Sequence, residues 1–75
     1  MSVPIIVNGR EAKWSGESIS FEDVVRLGFP DAQFDAATVF TVTWKKGHDG
    51  GSMVAGQSVH LKPGTIFNVT RTSRA

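Results

Sequence analysis

Residues 65–75 read TIFNVTRTSRA, and this stretch decides how the rest of the chain folds. It follows a Pro63-Gly64 turn, and apolar side chains alternate with polar ones along it, which predicts a β-strand. Phe67 and Val69 should therefore face a core. The opposite face should point away from the core and carries Ile66, Asn68 and Thr70.

The segment beyond this strand is short and polar. We expect a folded domain over residues 1–71 and a flexible tail over residues 72–75. A last strand that carries its C-terminal end into solvent can offer that end to other proteins.

The first residues predict a partner for this strand. Residues 4–7 are an apolar run, and they are followed by Asn8-Gly9, the strongest short-range signal for a β-hairpin. Residues 10–14 should form the returning strand, with Ala12 and Trp14 on one face.

A short helix should follow the hairpin. Ser20 is a suitable N-cap, and Asp23 three residues later gives a pair resembling a capping box. Gly28 should end the helix, and Pro30 prevents its continuation.

Residues 39–45 alternate again and predict a further strand. Its core face should carry Phe40, Val42 and Trp44, and its outer face Thr41, Thr43 and Lys45. Residues 46–52 are rich in glycine and polar residues, and we expect a flexible connector there. Short extended pieces should follow at residues 53–54 and 58–61.

This order of elements indicates an α+β fold: a mixed sheet of four to five strands with one helix packed across one face, the β-grasp arrangement. In that arrangement the first and last strands pair in parallel at the centre of the sheet. A parallel pair needs a long crossover, and the helix and the middle strands provide one.

Composition narrows the possible functions. The 75 residues make one domain near the lower size limit for folding without staples, and there are no cysteines to supply a disulfide, a thiolate metal site or a thiol nucleophile. The net charge of +1 is far from the basic excess of a nucleic-acid binder. The apolar runs are too short to span a membrane, and the start lacks a signal-peptide layout, so we expect a cytoplasmic protein.

The polar residues do not predict an active site. His48, Asp49 and Ser52 lie within five positions of one glycine-rich stretch, whereas a catalytic triad is normally assembled from distant segments. His60 should be a surface or a hydrogen-bonded core residue, and two isolated histidines make a poor metal site. We expect no catalytic residue, no metal and no cofactor.

Six stretches of the sequence form a recognisable set: residues 5–10 (IIVNGR), 14–16 (WSG), 19–20 (IS), 29–30 (FP), 38–47 (TVFTVTWKKG) and 66–72 (IFNVTRT). The most distinctive parts are the Val-Asn-Gly opening and the Phe-Asn-Val-Thr-Arg ending. Together these stretches resemble the bacterial multiubiquitin-type domains, which are ubiquitin-like β-grasp proteins, and the resemblance covers about residues 4–73.

The resemblance implies a protein modifier rather than an enzyme. Its carboxylate, here that of Ala75, would be activated by an E1-like enzyme and transferred through an E2-like enzyme to an amine of a target protein, forming an isopeptide bond. A deubiquitinase-like peptidase is a further expected partner. We expect no binding to nucleic acid or to a membrane. The tail residues that these enzymes would recognise are Arg71, Thr72, Ser73 and Arg74. The surface that they would contact carries Lys45, Ile66, Asn68 and Thr70.

The C-terminal residues depart from the ubiquitin pattern. Ubiquitin and the sulfur carriers end in Gly-Gly, whereas this chain ends in Arg74-Ala75, which argues against a sulfur carrier. Three explanations stay open: the enzymes accept Ala75, a longer product is trimmed by a peptidase, or this domain is one unit of a tandem array.

Two other functions compete with the modifier. The first is a non-covalent interaction module that uses the outward sheet face. The second is an RNA-associated protein that binds through Lys45, Lys46 and Arg71, against which the near-zero net charge argues.

Overall fold

A computed structural model describes residues 2–73 and shows a mixed five-stranded sheet with one helix packed across one face. The expected α+β, β-grasp fold is confirmed. The elements in chain order are β1 (Ser2–Val7), β2 (Arg10–Ser15), β3 (Ser18–Ser20), α1 (Phe21–Gly28), β4 (Thr38–Lys46), β5 (Asp49–Met53), β6 (Ser58–His60) and β7 (Thr65–Ser73).

The last strand lies in the middle of the sheet, whose strand order is β2-β1-β7-β4-β5. β7 pairs in parallel with β1, from Ile5–Thr65 to Val7–Phe67, as the sequence predicts. It pairs antiparallel with β4 over a longer stretch, from Lys45–Ile66 to Thr38–Ser73. The C-terminal part of β7 is therefore held mainly by β4.

The turn between β1 and β2 confirms the predicted hairpin. Asn8 and Gly9 have φ angles of 51° and 80°, the positive values that a two-residue type I′ turn requires at both positions. Asn8 also binds β7: its backbone N–H donates to the Phe67 carbonyl at 2.9 Å, and its Oδ1 accepts from the Val69 N–H at 2.7 Å.

The helix begins and ends where the sequence indicates. The Ser20 hydroxyl accepts from the Asp23 N–H at 3.2 Å and donates to the Asp23 carboxylate at 2.9 Å, so one side chain caps the helix and orients a second. The Asp23 carboxylate lies in the first turn, where it interacts favourably with the helix dipole. Val24 and Val25 are fully buried against the sheet.

The core lies between the helix and one sheet face. The two faces of β4 and β7 are those predicted, because Val42, Phe67 and Val69 are buried while Thr41, Thr43 and Thr70 are exposed. The buried apolar residues are Ile5, Val7, Ile19, Phe21, Val24, Val25, Val42, Met53, Leu61, Phe67 and Val69.

The expectation of a flexible connector over residues 46–52 is wrong. The chain turns at Gly47, where φ is 59°, and Asp49–Met53 form β5, which pairs with β4. The glycines of this stretch lie beside a large side chain: a Cβ added at Gly51 would lie 3.0 Å from Cζ2 of Trp44. Gly51 thus leaves room for the indole ring instead of breaking the strand.

Residues 58–60 form β6, which confirms the short extended piece expected at residues 58–61, whereas β3 and the end of β7 differ from the expectations. β3 and β6 form a separate two-stranded sheet in which Ile19 lies opposite Val59. β7 continues through Thr72 to Ser73, which lie opposite Val39 and Thr38, so the strand extends two residues into the segment expected to be flexible. Arg74 and Ala75 lie outside the described residues.

Candidate functional site

The four residues expected to contact an enzyme lie together on the sheet face opposite the helix. Ile66, Asn68 and Thr70 are alternate residues of β7, and all three are exposed. Lys45 on β4 is the Cα partner of Ile66, so the two strands bring these residues onto one surface. We call this surface, together with the β1 residues described next, the outer face.

Ile66 is the apolar centre of the outer face. Its side chain is 37% exposed, although both neighbouring residues of β7, Thr65 and Phe67, are almost fully buried. Ile6 of β1 is its Cα partner on the other side and is half-buried. Ile6 was missed in the sequence analysis, but the alternation of β1, in which Ile5 and Val7 face the core, was enough to place it.

Charged side chains border this apolar centre. Glu11 of β2 lies opposite Ile6, and Lys13 lies opposite Pro4, while Lys45 borders Ile66 from β4. An apolar centre bordered by charged groups of both signs is the arrangement of many protein-contact surfaces, where a few central residues carry most of the binding energy.

Arg71, expected to take part in tail recognition, lies within β7 and contacts the domain itself. It shares the parity of Phe67 and Val69, so its side chain lies on the helix side of the sheet. There the guanidinium stacks over the Phe29 ring, 4.6 Å from the centroid, and lies 3.5 Å from the Asp31 carboxylate. The end of β7 is thus fixed to the loop that follows the helix.

An aromatic cluster supports this contact. Phe40 of β4 packs against Phe29 at a centroid distance of 6.0 Å and against Phe34 at 5.6 Å. Arg26 of the helix lies over Phe34, 5.1 Å from its centroid. Through these contacts the end of the helix, the loop before β4, and Arg71 of β7 pack against one another.

The other expected tail residues are placed only in part. Thr72 is exposed and lies opposite Val39, and Ser73 is the last residue of β7. Arg74 and Ala75, the expected conjugation terminus, fall outside the described residues.

Comparison with known proteins assigns the chain to a family. The profile of the family described as multiubiquitin matches residues 3–73, nearly the whole chain. The chain belongs to the multiubiquitin family. Domains of this family are generally small, non-enzymatic ubiquitin-like modules. Searches of curated proteins and of solved structures gave no match.

The geometry of this multiubiquitin domain does not assemble the residues that could suggest catalysis. His48 lies in the β4–β5 turn, while Asp49 and Ser52 lie on β5, and all three are exposed. His60 is exposed on β6, and its carbonyl accepts a hydrogen bond from Lys46 Nζ at 2.9 Å. Within residues 2–73, no group of three or more His, Cys, Asp or Glu side chains is placed to hold a metal ion.

The three basic residues considered for RNA binding are not brought together. Lys45 lies on the outer face, whereas Lys46 lies over the Trp44 ring, 5.0 Å from its centroid. Arg71 lies opposite Phe40, six residues from Lys46 along β4, which is about 20 Å in a strand. No helix in the described part of the chain is long and apolar enough to cross a membrane.

Proposed function

We propose that this multiubiquitin domain is a protein modifier, joined through a C-terminal carboxylate to an amine of a target protein. The observation that carries the proposal is the position of β7: the family match extends to residue 73, where the central strand of the sheet ends. β1 and β4 hold the first part of β7 from both sides, and β4 pairs with it as far as Ser73, so the fold fixes where the last strand ends.

The chemistry belongs to the partner enzymes. An E1-like enzyme joins the carboxylate to the α-phosphate of ATP and releases pyrophosphate. The acyl group then passes to an enzyme thiol with release of AMP, is transferred to an E2-like enzyme, and finally forms an isopeptide bond with a lysine amine. A deubiquitinase-like peptidase hydrolyses that bond. This domain supplies the carboxylate, proposed to be that of Ala75, and no catalytic group, and the setting proposed for this pathway is the cytoplasm.

The enzymes need two recognition elements on the domain. Arg74, Thr72 and Ser73 belong to the segment that enters the enzyme, while Arg71 positions that segment through Phe29 and Asp31. The outer face supplies the second element, with Ile66 as its apolar centre and with Lys45, Asn68 and Thr70 around it.

The test is intact-mass spectrometry of the domain incubated with ATP and with E1-like and E2-like enzymes from its genomic neighbourhood. We expect an adduct equal to the enzyme plus this chain minus water, which is absent without ATP and absent when residues 74–75 are deleted. Ile66→Asp should slow its formation, whereas Ala55→Asp should not, because Ala55 is exposed in a turn whose Gly56 N–H lies 3.4 Å from the Glu22 carboxylate of the helix, away from the outer face. No adduct with enzymes that are active on another substrate would contradict the proposal.

A non-covalent interaction module is the second candidate, and the exposure of Ile66 beside Ile6 favours it. This function needs the outer face but not the carboxylate. Partner binding that survives deletion of residues 74–75 and is lost with Ile66→Asp would support it over the modifier.

A further inference from the structure

The C-terminal half of β7 has one edge that no strand within residues 2–73 covers. The ladder with β1 ends at the Val7–Phe67 pair, because β1 turns into the hairpin at Asn8. Beyond Phe67, β7 continues for six residues, and in the described part of the chain only β4 is paired with them.

The hydrogen bonds of Val69 show which backbone groups lie on this edge. Its N–H donates to the Asn8 side chain and therefore points away from β4. In an antiparallel pair, residues that do not exchange hydrogen bonds alternate with those that do, and both backbone groups of a residue point to the same side. Arg71 is two residues further on, so its N–H and C=O also point away from β4, as does the Val69 carbonyl.

We propose that this open edge, residues 69–73, accepts an extended peptide segment of a partner protein as an additional strand. Strand addition uses exposed backbone donors and acceptors for affinity and neighbouring pockets for specificity. The proposal goes beyond the conjugation reaction, since it requires neither ATP nor a free carboxylate.

A cleft next to the edge determines the chemistry of the partner segment. It has a volume of about 280 Å³ and lies between the β1–β2 turn and the helix end. Two of its residues adjoin the edge: Asn8 binds Val69, and a Cβ added at Gly28 would lie 3.3 Å from the Val69 side chain. The cleft is lined by Val7, Asn8, Arg10, Leu27, Gly28 and Pro30.

Charge and exposure select the side chains that fit this cleft. Leu27 is 36% exposed and offers an apolar contact, and Arg10 is the one charged residue of the lining. A segment that alternates apolar residues and carries a carboxylate at its end therefore matches the edge and the cleft together. The C-terminal residues of a second copy match it poorly, because Arg74 would approach Arg10.

The edge strand β2 is a weaker site for the same interaction. Three of its first four residues, Arg10, Glu11 and Lys13, are charged, and charged residues on an edge strand oppose pairing with another chain. In β7, by contrast, the Arg71 guanidinium contacts Phe29 and Asp31 on the helix side of the sheet, so this charge does not lie along the edge.

The test is an NMR titration of the ¹⁵N-labelled domain with the acetylated, amidated heptapeptide EVTVTVE. The peptide has a glutamate at each end, so that a glutamate lies beside Arg10 whether the peptide pairs parallel or antiparallel to β7. We expect saturable shifts at the amides of Arg10, Leu27 and Gly28 and of residues 69–72. The same peptide with its amide nitrogens methylated at alternate positions, so that they cannot donate, should bind at least about tenfold more weakly.

Protein variants test the two parts of the site separately. Arg71→Pro removes the donor on the open edge but no hydrogen bond to β4, so it should weaken peptide binding about tenfold relative to Arg71→Ala. Arg10→Glu should weaken binding of EVTVTVE while having little effect on QVTVTVQ. Thr70→Pro removes an N–H that faces β4 and should instead destabilise the fold.

Results of three kinds would overturn the proposal. The first is a lack of backbone-dependent binding, seen either as no saturable shift up to millimolar peptide or as equal binding of the methylated peptide. The second is a set of shifts centred on Ile66 and Lys45, which would assign the peptide to the outer face. The third is the same shifts on concentrating the protein without peptide, which would make a second copy the occupant. Because no enzyme is present, failure here is independent of failure to form an adduct.

Discussion

At the scale of single residues, Asn8 has two roles that its place in the sequence reveals only in part. The Asn-Gly pair predicts the turn, because both residues tolerate positive φ. The structure adds that the Asn8 side chain accepts a 2.7 Å hydrogen bond from the Val69 N–H, sixty-one positions away. The turn thus continues the connection between β1 and β7 after their ladder has ended.

Substitutions at Asn8 separate these roles. Asn8→Gly keeps the turn but removes the acceptor of the Val69 N–H, so it should lower the free energy of unfolding by about 1 kcal/mol. Asn8→Asp keeps both the turn preference and an acceptor and should have a smaller effect. Urea denaturation followed by circular dichroism measures both. Equal effects of the two substitutions would show that the side-chain hydrogen bond contributes nothing to stability.

Arg71 makes two contacts whose contributions can be compared by magnitude. Its ion pair with Asp31 is exposed, and pairs of this kind contribute about 0–1 kcal/mol because water screens them. The stacking over Phe29 and the buried part of its aliphatic chain contribute about 0.5–1 kcal/mol or more. The ring contact should therefore dominate.

This ordering predicts that Arg71→Ala lowers the midpoint of thermal unfolding more than Asp31→Ala does. Asp31→Ala removes only the ion pair and should change stability by less than about 0.5 kcal/mol at 0.15 M salt. If Asp31→Ala were as destabilising as Arg71→Ala, the ion pair rather than the aromatic contact would hold the end of β7.

At the scale of elements, the helix depends on its cap. Eight residues are too few for a helix to be stable alone, so its stability comes from packing and from the hydrogen bonds at its ends. Ser20→Ala should reduce the free energy of unfolding by about 1 kcal/mol, measured by chemical denaturation. Ser18→Ala, two residues earlier in β3 and exposed, is the matched control and should be nearly neutral. A neutral Ser20→Ala would contradict the capping role.

The elements also show what sequence patterns can and cannot predict. Alternation placed both faces of β4 and β7 correctly, because one face of each is buried. Alternation could not predict β5, because Gly50 and Gly51 have no side chains. A glycine is needed at position 51 because the Trp44 ring of the neighbouring strand occupies the space of a side chain there, and this contact is not visible in the sequence. The extended piece at residues 58–61 could be predicted, but β3 and its pairing with β6 could not, because each strand has only three residues.

The candidate site follows the same rule. The part of the outer face formed by Ile66, Asn68, Thr70 and Lys45 could be predicted, because it follows from the alternation of β7 and of β4. The same alternation also applies to Arg71, whose parity with Phe67 and Val69 places it on the helix side. Its contacts with Phe29 and Asp31 could not be predicted, because they depend on how a loop some forty residues earlier packs against the end of β7.

At the scale of the whole molecule, two adjacent residues test whether the surface and the core are as separate as the structure shows. Phe67 is fully buried, whereas Ile66 is 37% exposed on the opposite face. A 75-residue domain has a free energy of unfolding of about 4–11 kcal/mol, and a buried Phe→Ala change costs about 3–5 kcal/mol. Phe67→Ala should therefore remove much of the stability, and in a domain at the lower end of that range it should unfold the protein.

Ile66→Asp should behave differently. It introduces a charge on a face that water already reaches, so the dispersed amide spectrum should persist. The free energy of unfolding should fall by about 1–3 kcal/mol through lost apolar contact and lost strand propensity, which is less than for Phe67→Ala. Amide NMR spectra show whether each of the two variants is folded, and urea denaturation measures its free energy of unfolding. An unfolded Ile66→Asp variant would mean that the outer face is part of the core, and the contact surface proposed for a partner would then not exist.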